Sequence, residues 1–225
     1  MQTPFLRAVY GIALKDLRAE LRSRELLSLM LIFALLSLLI FSFALELDRI
    51  AREESISGVL WVTVAFASII GLNRSLTLER EQGSLDAMLI APIHRAAIFV
   101  GKLIGNFLFA LIVGALLLPI AALLYNLPSL SLWLIGALVL GTLGLSSIGT
   151  LLATMTAQTR TRESLLPIVM LPLALPIVLT AVRATTGILS GQPSGDWLAW
   201  LQLLAFVDAV YFAACFVMFE FVVEA

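Results

Sequence analysis

Few side chains in this chain could do chemistry, and their spacing restricts what kind. No G-x-x-x-x-G-K-[ST] phosphate loop is present: the only Gly-Lys pair, Gly101-Lys102, runs into Leu103 and lacks the upstream glycine. H-E-x-x-H and G-x-S-x-G are also missing, so neither a zinc protease nor an α/β-hydrolase motif is encoded. The lone cysteine, Cys215, excludes an intrachain disulfide and a cysteine metal cluster. The sequence therefore predicts no enzyme and no bound cofactor or metal.

Two polar features stand out instead. Asp208 falls near the middle of a long apolar run, where a carboxylate is costly and marks a cavity or a partner. Tyr211, one turn on, is placed to hydrogen-bond it. The other feature is the stretch from Thr77 to Pro92. Glu81 opens its core, Gly83 interrupts the preceding run, Ser84 is a good N-cap, and Asp86 suits the positive end of a helix dipole. Leu85, Met88 and Leu89 fall at i, i+3 and i+4 and share one apolar face, and Pro92 closes the segment. A helix of one or two turns with such a face fits a groove in a partner protein; the competing reading lays it on lipid.

The elements that must position these residues follow from composition. The chain has 225 residues, of which 61% are hydrophobic and 13% charged, with a mean hydropathy of +1.06. Charged residues make up about a quarter of an ordinary soluble domain, so the excess apolar surface here faces the lipid bilayer. A net charge of -1 gives no basic field for nucleic acid.

Charge-free runs then divide one membrane domain, 1–225, into an all-α arrangement of six transmembrane helices. The spans are predicted at 26–45, 56–73, 98–125, 132–156, 164–182 and 197–223, with Trp61 as an interface anchor in the second. Residues 103 to 159 carry no charge, and Asn126-Leu127-Pro128-Ser129 supplies the turn that splits them. Pro167, Pro172 and Pro176 predict a broken helix at 164–182. The first 25 residues lack the apolar core and cleavage site of a signal peptide. Instead 4–25 reads as an interfacial amphipathic helix, with Leu6, Tyr10, Ala13, Leu14, Leu17 and Leu21 on one side and Arg7, Lys15, Arg18 and Arg22 on another.

Thr142, Ser146, Gly149 and Ala153 form a stripe of small residues, and Gly101 and Gly105 form a G-x-x-x-G; both allow close helix packing. Packing inside the bundle is the stronger reading, a subunit interface the weaker. Lys and Arg concentrate before span one, between spans two and three, and between spans four and five, leaving only Arg49, Arg52 and Arg183 opposite. The positive-inside rule places both termini in the cytoplasm.

Four stretches in order, Gly58-Val-Leu-Trp-Val62, Glu81-Gln-Gly-Ser-Leu-Asp86, Gly141-Thr-Leu-Gly-Leu-Ser146 and Leu171-Pro-Leu-Ala-Leu-Pro176, resemble the CcmB family. This is the heme exporter permease of cytochrome c maturation, within the ABC-2-type exporter permeases. The resemblance implies a bacterial inner-membrane subunit, with 81–91 as a short cytoplasmic coupling helix. Its partners would be a separate ABC ATPase, a dimer that carries the ATP, and further membrane subunits of the cytochrome c maturation complex. Heme would be the transported substrate, bound for a periplasmic heme chaperone. His94, the single histidine, stands beside Arg95 and is a weak heme-contact candidate. Two alternatives stay open: a scaffold that couples ATP hydrolysis to chaperone release without transport, and an ABC-2 exporter of lipid, drug or polysaccharide.

Overall fold

In lipid a backbone must satisfy its own N–H and C=O groups, and for a single chain segment only the helix does so. The computed structural model, which describes residues 4–44, 49–81, 83, 90–91, 93–125, 131–156 and 162–224, contains seven helices and no strand among them. They are α1 (Phe5–Ser23), α2 (Glu25–Ala44), α3 (Arg49–Glu81), α4 (Arg95–Tyr125), α5 (Leu132–Thr156), α6 (Arg162–Leu189) and α7 (Ser194–Glu224). Helices α2 to α7 are long and apolar enough to cross a membrane. The Asn126–Ser129 turn lies outside the described residues.

Helices α3 and α5 form the middle of the bundle and are buried along most of their length, whereas α2 and α7 turn most of theirs outward. Small residues explain the close approach. The ring of Trp61 rests where a Cβ of Gly141 would stand, and Leu72 and Met170 close over Gly149. Trp61 is therefore a core residue, 1% exposed, and not the interface anchor its position suggested. Its indole finds a partner in the protein interior, and that draws it inward: Nε1 donates to Thr185 Oγ1 on α6 at 2.9 Å.

Helix α6 corrects a second expectation, because it runs unbroken through Pro167, Pro172 and Pro176. Proline removes an N–H and crowds the carbonyl four residues back, yet membrane helices tolerate it where neighbouring helices pack against them, as α3, α5 and α7 do here. Tyr211 on α7 donates its hydroxyl to the Leu173 carbonyl at 3.1 Å. That carbonyl adjoins the one on Pro172 that Pro176 leaves without an N–H. Thr180 Oγ1 bonds back to the Pro176 carbonyl at 2.7 Å.

Helix α1 is amphipathic in a different register from the predicted stripe. Leu6, Tyr10 and Leu21 point outward, while Val9, Ile12, Ala13 and Glu20 are buried. The buried face lies on α4, where Gly101 leaves room for Ile12 and Gly105 for Asp16; a Cβ on Gly101 would stand 2.8 Å from Ile12 Cβ. Arg24, in the left-handed region at φ 55, turns the chain from α1 into α2, and its N–H reaches the Glu20 carbonyl at 2.7 Å. The Glu20 carboxylate then accepts from the N–H groups of Leu27 at 2.8 Å and Leu26 at 3.3 Å, capping α2.

Candidate functional site

The segment between α3 and α4 enters the site through its two flanks. Helix α3 continues to Glu81, eight residues past the predicted end of span two, and Gly83 makes the following turn at φ 61, which suits a residue without a Cβ. Ser84, Leu85, Asp86, Met88 and Leu89 lie outside the described residues, as do Pro92 and the side chain of Glu81. Ile90 is 85% exposed at the far end of the segment. His94 is exposed, and its carbonyl accepts the N–H of Ala97 at 2.9 Å, opening α4.

The ends of the two helices that flank that segment carry an ionic cluster. Lys102 on α4 pairs with Glu79, two residues before the end of α3. Lys102 Nζ also lies 2.9 Å from Asp16 Oδ2 on α1. Lys15 reaches Asp16 Oδ1 at 3.1 Å and Glu79 Oε1 at 3.7 Å. Lys102 and Glu79 are each 7% exposed and the Asp16 side chain 13%, so one ammonium and two carboxylates are held largely out of solvent, with the exposed Lys15 at their rim. A cleft of about 110 Å³ opens beside them, bordered by Lys15, Asp16, Glu20, Ser75 and Glu79. Arg74 on α3 pairs with Glu25 at the start of α2, and Asn106 Nδ2 donates to Thr150 Oγ1 at 2.9 Å, tying α4 to α5.

Sequence reasoning did not single out this cluster. The available signal was Lys102 itself, the last charge before the long neutral run and part of the G-x-x-x-G; Asp16 repeats the Ile12 face one turn later.

The predicted intramembrane pair is not brought together. Asp208 is 4% exposed and packs against Gly144 and Ile177, and neither carboxylate oxygen has a hydrogen-bond partner among the described residues. Tyr211 spends its hydroxyl on the Leu173 carbonyl instead, because its ring extends across to α6. Thr142, Ser146, Gly149 and Ala153 are all buried within the chain's own bundle. Among the described residues no three His, Cys, Asp or Glu side chains converge as a metal site.

Six membrane-length helices, an amphipathic helix locked to them by ion pairs, and a long helix leading into an inter-span segment define a multi-pass membrane protein consistent with a permease. Comparison with known proteins narrows the class. The CcmB protein family model matches residues 7–221, and the chain belongs to that family. It is 32% identical over 166 residues to heme exporter protein B of Rhodobacter capsulatus, covering 73% of this chain and 76% of the relative. Heme exporter protein B of Paracoccus denitrificans is 29% identical over 196 residues, covering 87% and 88%. That of Pseudomonas aeruginosa is 28% identical over 184 residues, covering 81% and 82%.

Proposed function

We propose that this chain is the membrane permease subunit of an ABC transporter that exports or delivers heme for c-type cytochrome biogenesis. The family match over residues 7–221, with relatives called heme exporter protein B, carries the reading. The chain has no phosphate loop, so ATP belongs to a separate ATPase subunit, one copy for each permease half. The ATPase docks on Glu81, Gly83, Ser84, Leu85, Asp86, Met88 and Leu89, a run that begins at the last residue of α3. Positive-inside counting places that segment and both termini in the cytoplasm of a bacterium, with the bundle in its inner membrane. Further membrane subunits and a periplasmic heme chaperone complete the assembly.

Leu85→Asp or Met88→Asp puts a charge on the docking face. Both variants should insert in the membrane yet lose the ATPase on co-purification in mild detergent. Undiminished co-purification would overturn the docking assignment.

One observation favours a second reading of the same complex. Pockets for ligands of drug size measure about 300–1,000 Å³, and the cleft beside Asp16 measures about 110 Å³. The middle of the bundle is filled by Trp61, Leu145, Ile177 and Leu204, all under 2% exposed. Heme then travels on an outer face shared with another subunit, or the chain serves as a scaffold through which ATP turnover frees a heme-loaded chaperone. Reconstituted vesicles separate these routes: the scaffold turns over ATP without heme flux. His94→Ala tests a heme contact beside Arg95, and an unchanged yield of cytochrome c removes it.

A further inference from the structure

We propose that Lys102 is a positioning residue that locks α1 to both helices flanking the 82–94 segment, so that a pull on that segment is delivered to α1 and through Glu20 to α2. This rests on the reading of 81–91 as the ATPase dock.

The connection is continuous in the structure. Glu79 stands just ahead of the segment and Lys102 just beyond it, and the two are paired. Any displacement of the segment therefore acts on both. Asp16 ties α1 to the same ammonium at 2.9 Å, and Lys15 bridges Asp16 and Glu79 at 3.1 and 3.7 Å. Gly101 and Gly105 let α1 sit against α4, with Asp16 Cβ 3.5 Å from where a Cβ of Gly105 would stand. One turn further along, α1 holds α2 by the Glu20 cap.

Apolar packing alone could hold these helices together. A buried ion cluster is a poor device for stability, since apolar side chains of similar volume often do as well, but it fixes register. Three helices here share one ammonium, and sliding any of them by a turn would strand a charge away from water. The arrangement suits parts that must move as one body.

The test uses the assembled complex with the single native cysteine replaced, Cys215→Ala. Nitroxides go on Arg18→Cys and Ile90→Cys, both exposed, or on Arg18→Cys and Met155→Cys. Distances are read without nucleotide and after vanadate trapping. The clamp predicts a fixed 18–90 separation while 18–155 changes. In Lys102→Met the 18–90 distribution should broaden with the ATPase still bound, and cytochrome c formation should fall about tenfold. Lys102→Met leaves two carboxylates short of a cation, so Asp16→Asn/Glu79→Gln/Lys102→Met is the companion that folds without buried charge; it should show the same broadening. A wild-type 18–90 separation that changes on trapping, or a triple variant with normal distances and cytochrome yield, overturns the clamp and leaves docking intact. Retention of the ATPase by Leu85→Asp removes the docking reading and the clamp with it.

Discussion

Trp61 and Thr185, 124 residues apart, are joined by a 2.9 Å hydrogen bond from the indole N–H to the hydroxyl, inside the bundle between α3 and α6. The same ring is held over Gly141, so one side chain connects three of the central helices.

Thr185→Val keeps the shape but leaves the indole N–H buried without its acceptor. A loss of about 1–3 kcal/mol is expected in SDS-titration unfolding of the purified chain. Gly141→Ala drives a methyl into a ring that the hydrogen bond holds in place, for a similar loss of about 1–3 kcal/mol. An unshifted midpoint in both variants would show that the ring moves aside freely.

Asp208 and Gly144 are coupled in the same way one turn along α5, because a Cβ at 144 would collide with Asp208 Oδ1 and lie 2.9 Å from Ile177 Cδ1. Gly144→Ala should destabilise by about 1–3 kcal/mol, and less when Asp208→Ala has already cleared the space. Strict additivity in that double-mutant cycle would contradict the contact. Asp208→Asn, which preserves the shape, should leave the unfolding midpoint close to the parent's.

Tyr211→Phe removes the donor to the Leu173 carbonyl, next to the carbonyl that Pro176 leaves open. The expected cost is about 0.5–1.5 kcal/mol. Pro176→Ala returns an N–H to the Pro172 carbonyl and leaves the Leu173 carbonyl to Tyr211, so Tyr211→Phe should cost the same in that background. A smaller cost in the Pro176→Ala background would mean that the hydroxyl serves the proline gap instead.

Glu20→Ala strips the cap from the Leu26 and Leu27 N–H groups. About 1 kcal/mol of local stability is expected to go, and the α1–α2 corner should open. Limited trypsin digestion reports this at Arg22 and Arg24, both exposed. Faster cleavage there, with no change in global unfolding, is the predicted pattern; a cleavage rate equal to the parent's would mean the cap is dispensable.

Several features were readable before any coordinates. A run without charge, such as 103–159, announces membrane helices whatever it packs against. The three prolines misled because what holds α6 straight is its packing against α3, α5 and α7, which no local window of sequence contains. Trp61 misled for the same reason, since an indole beside a membrane face suits an anchor until Thr185 offers it an acceptor inside. The wheel puts Leu6, Tyr10 and Leu21 on the apolar stripe of α1, whereas the glycines of α4 select Val9, Ile12 and Asp16 as the face that packs.

Charge density and hydropathy are local properties, so residue order alone determined that this chain is an all-helical membrane protein. The absence of a phosphate-loop motif, again local, is what the proposal of a separate ATPase rests on. Which side chains meet is a non-local property, and only the tertiary structure decided it. Lys102 was one more lysine at the edge of a span until the fold brought Asp16 from 86 residues away and Glu79 from the neighbouring helix end to share its charge. Burying that ammonium requires all the partners at once, and no window of sequence contains them together.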